Sequence, residues 1–187
     1  LAARGDSPQA LFGIVQGGTS EAMRAESAQR TVALDFDGYG IGGLSVGETR
    51  DEMVPALAAA LAHLPADRPR YLMGVGDPAS MIEAIHLGVD QFDCVMQTRL
   101  GRHGAALTGG GRVNVKRQEF ALTDAPIDPG CSCWVCRRHS LGYIRHLFKV
   151  GEPTASRLVS VHNVAWTIDL MARTRASIVD GSFASFR

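Results

Sequence analysis

Tyr71-Leu72-Met73-Gly74-Val75-Gly76-Asp77-Pro78 reads as one complete strand-to-helix junction. Three apolar residues make a short strand. Glycines at 74 and 76 turn the chain, and Asp77 followed by Pro78 supplies an N-cap and a first helical residue. A helix over 78–87 follows. The same grammar recurs upstream. Leu11-Phe12-Gly13-Ile14-Val15 is an apolar run without periodic polar residues, as expected of a strand buried on both faces. Gly17-Gly18 follows it, and Thr19 or Ser20 opens a helix to about 34. Tyr39-Gly40-Ile41 is a second strand, followed by Gly42-Gly43. Thr49 and Glu52 then form a capping-box pattern ahead of an Ala/Leu-rich helix over 56–64. Pro55, beyond the first helical turn, predicts a kink or a late start there. Downstream, residues 89–96 contain a fourth strand.

Four such βα units in the first ~100 residues imply an α/β fold with a parallel sheet. Four units are half of an eight-stranded barrel, and an open doubly wound sheet is the competing architecture. In either, the carboxyl ends of the strands carry the site. Glycines after each strand, at 17–18, 42–43, 74 and 76, fit a ligand approached closely by backbone. Any one pair alone would be an ordinary tight turn.

After Arg99 the pattern changes. Residues 105–108 and 112–116 alternate around Gly109-Gly110-Gly111 and read as a hairpin. Next comes Cys131-Ser132-Cys133-Trp134-Val135-Cys136, preceded by the turn Asp128-Pro129-Gly130. Three crowded thiols cannot pair evenly, and closing i to i+2 is strained. The fourth cysteine, Cys94, lies in an apolar run. Zinc needs four ligands in a tetrahedron, and Cys131, Cys133, Cys136 and His162 supply them. Helices are expected over 140–149 and 161–178, with His162 near the start of the second. Three domains follow: βα units over 1–104, a zinc-stapled insertion over 105–162 packed on the sheet, and a C-terminal helix over 163–187.

Charge is unevenly spread although the net is zero. Residues 1–98 carry six Lys/Arg against thirteen Asp/Glu, and residues 99–149 carry nine against three. The basic residues are Arg99, Arg102, Arg112, Lys116, Arg117, Arg137, Arg138, Arg145 and Lys149. Such a segment suits a polyanion, or simply a solvated face balancing the acidic half. No charge-free run reaches the ~20 residues of a membrane helix. Thiolate ligands and a reduced Cys94 fit a reducing, cytoplasmic setting without a membrane partner. The chain begins at Leu1, and we read it as a fragment.

Gly13-Ile14-Val15-Gln16-Gly17-Gly18, Gly42-Gly43-Leu44-Ser45-Val46-Gly47-Glu48, Tyr71 to Gly76, Phe92-Asp93-Cys94-Val95-Met96 and Thr98-Arg99-Leu100-Gly101-Arg102 stand in this order before the Cys₃His set. Together they resemble the tRNA-guanine transglycosylases, the queuine tRNA-ribosyltransferases of bacterial type, from Phe12 to Ile178. The resemblance implies the C-terminal half of a (β/α)₈ barrel with an inserted zinc-binding subdomain. It implies exchange of guanine at the wobble position of tRNAs with a GUN anticodon, a step of queuosine biosynthesis. One structural Zn²⁺ and, at full length, a homodimer are implied as well. The incoming base would be preQ1, because Val46 stands where queuine-using enzymes carry glycine.

By the same resemblance Asp93 is the nucleophile that forms a covalent ribosyl ester, with Asp90 its nearest rival. Gln16, Gly43, Leu44, Ser45, Glu48, Met73 and Gly74 would bind the base. Gly74, Val75, Gly76, Asp77, Pro78, Ala79 and Ser80 would contact RNA, the free N–H groups of the helix start holding a phosphate. Thr98, Arg99, Leu100, Gly101 and Arg102 would form a loop that reads the anticodon. Gln97, Leu100 and Ser45 depart from the usual family residues. The N-terminal barrel half, with its general base and a base-stacking aromatic, is not in this sequence, so the chain alone is expected to be inactive. The alternative reading is a non-catalytic RNA-binding paralogue or accessory subunit of the same family. A zinc hydrolase ranks last, because four ligands leave no open position on the metal.

Overall fold

The computed structural model describes residues 8–44 and 47–186. The chain divides into two compact units, Leu1–Cys94 and Val95–Arg187. In the first, β1 (Phe12–Val15), α1 (Glu21–Val32), β2 (Gly38–Ile41), α2 (Arg50–Leu61), β3 (Arg70–Leu72), α3 (Pro78–His86) and β4 (Gln91–Phe92) alternate strictly. The strands lie in the order β1-β2-β3-β4, and every pairing is parallel. This is the expected βα architecture.

The helix starts follow from local chemistry. Ser20 accepts a hydrogen bond from the Met23 N–H at the head of α1, and Asp77 does the same for Ser80 at α3. At α2 the capping box is complete: Glu52 N–H reaches the Thr49 hydroxyl, and the Thr49 N–H reaches the Glu52 carboxylate. That box starts α2 at Arg50, so Pro55 lies inside the helix and does not delay it. Val15, Ile41, Leu57 and Leu72 are fully buried between sheet and helices.

One expectation fails at β1. Gly13 and Val15 are buried, but Ile14 on the opposite face is 50% exposed. The strand is buried on one side only. Its run of apolar residues reflects two apolar faces, of which the folded chain covers one.

The second unit opens with α4 (Met96–Arg102). A hairpin follows, β5 (Ala105–Thr108) and β6 (Gly111–Asn114), then α5 (Trp134–Arg138), α6 (Leu141–Lys149), α7 (Thr154–Val179) and the short α8 (Phe183–Phe186). Two expectations are corrected here. Residues 98–102 are helical, not a loop. The long helix begins at Thr154, seven residues earlier than expected, so His162 sits more than two turns inside it. The early turns do carry helical spacing, since the buried Ala155, Leu158, Val159 and His162 stand at i, i+3, i+4 and i+7, a signal the shorter expectation passed over. The core gathers Ala106, Val115, Val135, Ile144, Leu147, Leu158 and Val159 around the cysteine segment.

Helices α4 and α7 touch closely at Gly101. A Cβ there would stand 2.6 Å from the Ser160 backbone nitrogen, a separation real atoms do not tolerate. Gly101→Val should therefore force the helices apart and destabilise the unit by about 2 kcal/mol. A chemical-denaturation midpoint equal to the parent's would contradict this packing.

Candidate functional site

Parallel strands deliver their carboxyl ends to one edge of the sheet, and the residues that follow β1 to β4 are Gln16, Gly42-Gly43, Met73-Gly74 and Asp93. Asp93 is exposed. Its Oδ1 accepts a hydrogen bond from the Tyr71 hydroxyl at 2.6 Å and another from the Gly74 N–H at 3.0 Å. These bonds favour the ionised form, so the Asp93 pKa lies below the usual carboxylate value, the Tyr71 hydroxyl being the larger cause and the Gly74 N–H the next. Tyr71 is pushed upward in turn, chiefly by its bond to Asp93. Asp90 is spent elsewhere: its carboxylate accepts from the Arg70 N–H at 2.9 Å, at the amino end of β4.

The Gln16 carboxamide lies against the Gly42-Gly43 backbone. A Cβ on Gly42 would stand 2.5 Å from Gln16 Nε2, and one on Gly43 would overlap Oε1. Gly43 also has φ of 66°, where a side chain is strained. A side chain at either position would push the Gln16 carboxamide aside, and at Gly43 the backbone itself favours glycine. The Leu44 side chain is buried, which leaves its backbone as the group able to meet a ligand. Glu48 is half-buried, and Ser45 and Val46 lie outside the described residues.

Sequence reasoning missed Arg24. It has no exposed surface, and its guanidinium donates to four backbone carbonyls. Nε reaches Gly18 O at 2.8 Å, Nη1 reaches Gly42 O at 2.7 Å and Val15 O at 3.3 Å, and Nη2 reaches Gly43 O at 3.0 Å. Burial lowers the Arg24 pKa, and the charge of Glu48 opposes that shift. An arginine on an otherwise polar helix gave no sign that it turns inward. The glycines at 17–18 and 42–43, whose carbonyls need a donor, were the available clue.

The helix start at 77–80 is capped by its own residue, since the Asp77 carboxylate takes the Ser80 N–H at 2.9 Å, with Arg50 3.6 Å from the same carboxylate. In the second unit Arg99 and Arg102 are exposed on α4, whereas Gly101 is a packing residue. Of the basic segment, Arg145 is buried and bound to Arg117 O and the Gln118 side chain, so it is not a surface charge.

The metal-ligating residues converge. One ligand atom from each of Cys131, Cys133, Cys136 and His162 lies within 4.8 Å of all the others. His162 Nδ1 is 3.6 Å from Cys133 Sγ and 3.3 Å from Cys136 Sγ. Its Nε2 is 2.7 Å from the Leu107 carbonyl, which can only accept, so Nε2 carries the proton and Nδ1 turns a lone pair toward the thiols. Burial lowers the His162 pKa, keeping it neutral, and burial pushes the Cys136 thiol up to about 12. A divalent cation reverses that penalty on the thiolates, so this donor set fits a metal ion. Asp128 shapes the approach by accepting from Gly109 and Gly130 N–H groups at 2.9 Å each. Asn163, the next residue on α7, accepts from the Leu107 N–H at 2.8 Å and donates to Gln97 O and Ala105 O.

A family model described as queuine tRNA-ribosyltransferase matches residues 1–187. The chain is 50% identical over 179 residues to the queuine tRNA-ribosyltransferase of Symbiobacterium thermophilum, covering 96% of this chain and 45% of that protein. It is 48% identical over 185 residues to the one from Thiobacillus denitrificans, covering 99% and 50% respectively. The protein of that name from Geobacillus kaustophilus is 48% identical over 184 residues, covering 98% and 48%. The chain spans about half the length of the curated relatives it matches. Among the described residues, no helix is long and apolar enough to cross a membrane.

The Asp93 geometry yields a prediction. A folded-state pKa below the unfolded value means that the stabilisation is present above the unfolded pKa and is lost as pH falls through the folded one. Tyr71→Phe removes the larger cause, so the Asp93 pKa should rise toward the ordinary range. Carbon-detected NMR titration of the carboxyl group reads this directly, and an unmoved titration would show that Tyr71 does not hold the charge.

Proposed function

Because the chain belongs to the queuine tRNA-ribosyltransferase family, we propose that it is the nucleophile-bearing portion of a cytoplasmic tRNA-guanine transglycosylase. The full enzyme exchanges guanine at the wobble position of GUN-anticodon tRNAs for preQ1. Its four parallel βα units are the C-terminal half of a (β/α)₈ barrel, and its Cys₃His segment is the zinc subdomain. The observation that carries this reading is Asp93 at a strand's carboxyl end with both hydrogen bonds on one oxygen. The other oxygen is the one to attack.

Exchange at a ribose needs two displacements at one carbon. The Asp93 carboxylate attacks the anomeric carbon, a C–O ester bond forms, and the N-glycosidic bond breaks with its electron pair on guanine. The departing base takes a proton from an acid. The incoming base, deprotonated at its ring nitrogen, then attacks the same carbon and releases the carboxylate. Two inversions retain the stereochemistry. A depressed pKa suits a nucleophile that must stay ionised at neutral pH. The proton-handling groups are assigned to the additional half that the relatives possess. Gln16, Gly43, Leu44, Ser45, Glu48, Met73 and Gly74 form the base pocket. The segment 74–80 and, on α4, the exposed Arg99 and Arg102 are assigned to RNA contact, Gly101 being taken up by packing on α7. The alternative, a non-catalytic RNA-binding paralogue, is disfavoured by the retained Asp93 motif together with Gln16.

The test is guanine exchange into a GUN-anticodon tRNA by the chain joined to an N-terminal half from a relative. Exchange is expected from the joined protein and none from the chain alone, and Asp93→Asn should lower the rate by at least ~10³-fold. Full activity in Asp93→Asn would overturn the assignment.

The metal is assigned as one structural zinc held by Cys131, Cys133, Cys136 and His162. When bound, it cross-links the cysteine segment to α7, and its four protein ligands leave no position for substrate. Chelation should unfold the second unit, since such binding free energy, about 10 kcal/mol, is folding free energy. Lost activity with an unchanged melting temperature and circular dichroism would instead make the metal catalytic.

A further inference from the structure

Arg24 is buried, the charge of Glu48 acts on it, and its guanidinium donates to main-chain oxygens at two strand ends. A guanidinium desolvated in this way is costly, and carbonyls compensate it only if all of them are aimed inward. The consequence is geometric. No described peptide bond is cis, and in a trans peptide the N–H points opposite to the C=O. Gly42 O is held at 2.7 Å by Arg24, so the N–H of the same peptide, that of Gly43, points away from the guanidinium. Gly43 is exposed, and the Gln16 carboxamide lies against it. A carbonyl already bound to a cation also polarises its peptide and makes the N–H a stronger donor.

We propose that Arg24 is a positioning residue for base recognition. Through the Gly42-Gly43 peptide it aims and polarises the Gly43 N–H, which, beside Gln16, donates to the carbonyl oxygen of the bound purine. This rests on the reading of the chain as part of a base-exchange enzyme. A staple that served stability alone would weaken all purines alike. The positioning role is specific to a purine that carries the carbonyl.

The experiment measures competitive inhibition constants of guanine and of 2-aminopurine, which lacks that oxygen, with the chain joined to its N-terminal half. Arg24→Lys and Arg24→Gln are compared with the parent. The ratio of the two constants does not depend on the folded fraction. The parent should prefer guanine, and both variants should lose about tenfold of that preference, the worth of one hydrogen bond to a strong donor. A preference retained within about twofold would reduce Arg24 to a staple and overturn the proposal. A second readout needs no variant. The Gly43 amide of the parent should gain protection from hydrogen exchange with guanine but not with 2-aminopurine, and equal protection by both would overturn the proposal too. A parent that binds neither purine would sink the base-exchange reading itself, which is a distinct result.

Discussion

Parallel pairing is the constraint on which the candidate site depends. Four strands running one way send their carboxyl ends to one edge, so residues separated by about eighty positions arrive together. None of Gln16, Gly43, Gly74 and Asp93 is a neighbour of another in sequence. The sheet gathers them, and short glycine turns let backbone as well as side chains face that edge. What the strands gather, hydrogen bonds then fix. Tyr71 lies in β3 and Gly74 just after it, and both bind the carboxylate that follows β4. Arg24 on α1 does the same for the ends of β1 and β2. Adjacent strand ends are tied in pairs, and each tie also sets a group that the proposed chemistry uses.

The second unit solves a different problem. Its hairpin, cysteine turn and long helix share an apolar core, and polar groups fix how they join. Leu107 illustrates it. Its N–H is held by Asn163 and its carbonyl by His162, two consecutive residues of α7. One strand residue thereby fixes the rotation of the helix and the tautomer of the ligating imidazole. The same turn of α7 serves hairpin, helix α4 and metal cluster at once.

How much of this was legible in the sequence varied with the kind of signal. The βα alternation, the Thr49–Glu52 box and the Asp77 cap were readable because their signals are local: each strand or helix shows in its own few residues, and the two caps join residues three apart. The ligand set was readable because thiols at such spacing have few other uses. Three things were not. The exposed face of β1 was hidden because an apolar run carries no mark of which side will be covered. The early start of α7 was passed over although Ala155, Leu158, Val159 and His162 keep helical spacing, because serines at 156 and 160 also suit a loop; Ser160 in fact bonds to Ser156 O and Thr98 O. Arg24 was hidden because a buried arginine and a surface one look alike in composition. Long-range polar contacts leave little periodic trace, and here they hold both candidate sites.

The central claim is that Asp93 becomes covalently joined to ribose. The most direct measurement is to mix the completed enzyme with a GUN-anticodon tRNA, quench with denaturant, digest with ribonuclease and protease, and locate the added mass by tandem mass spectrometry. The account predicts a nucleotide remnant on the peptide containing Asp93, attached at that side chain and released when preQ1 or guanine is added before the quench. A remnant on another residue, or turnover with no trapped adduct at any time point, would contradict it.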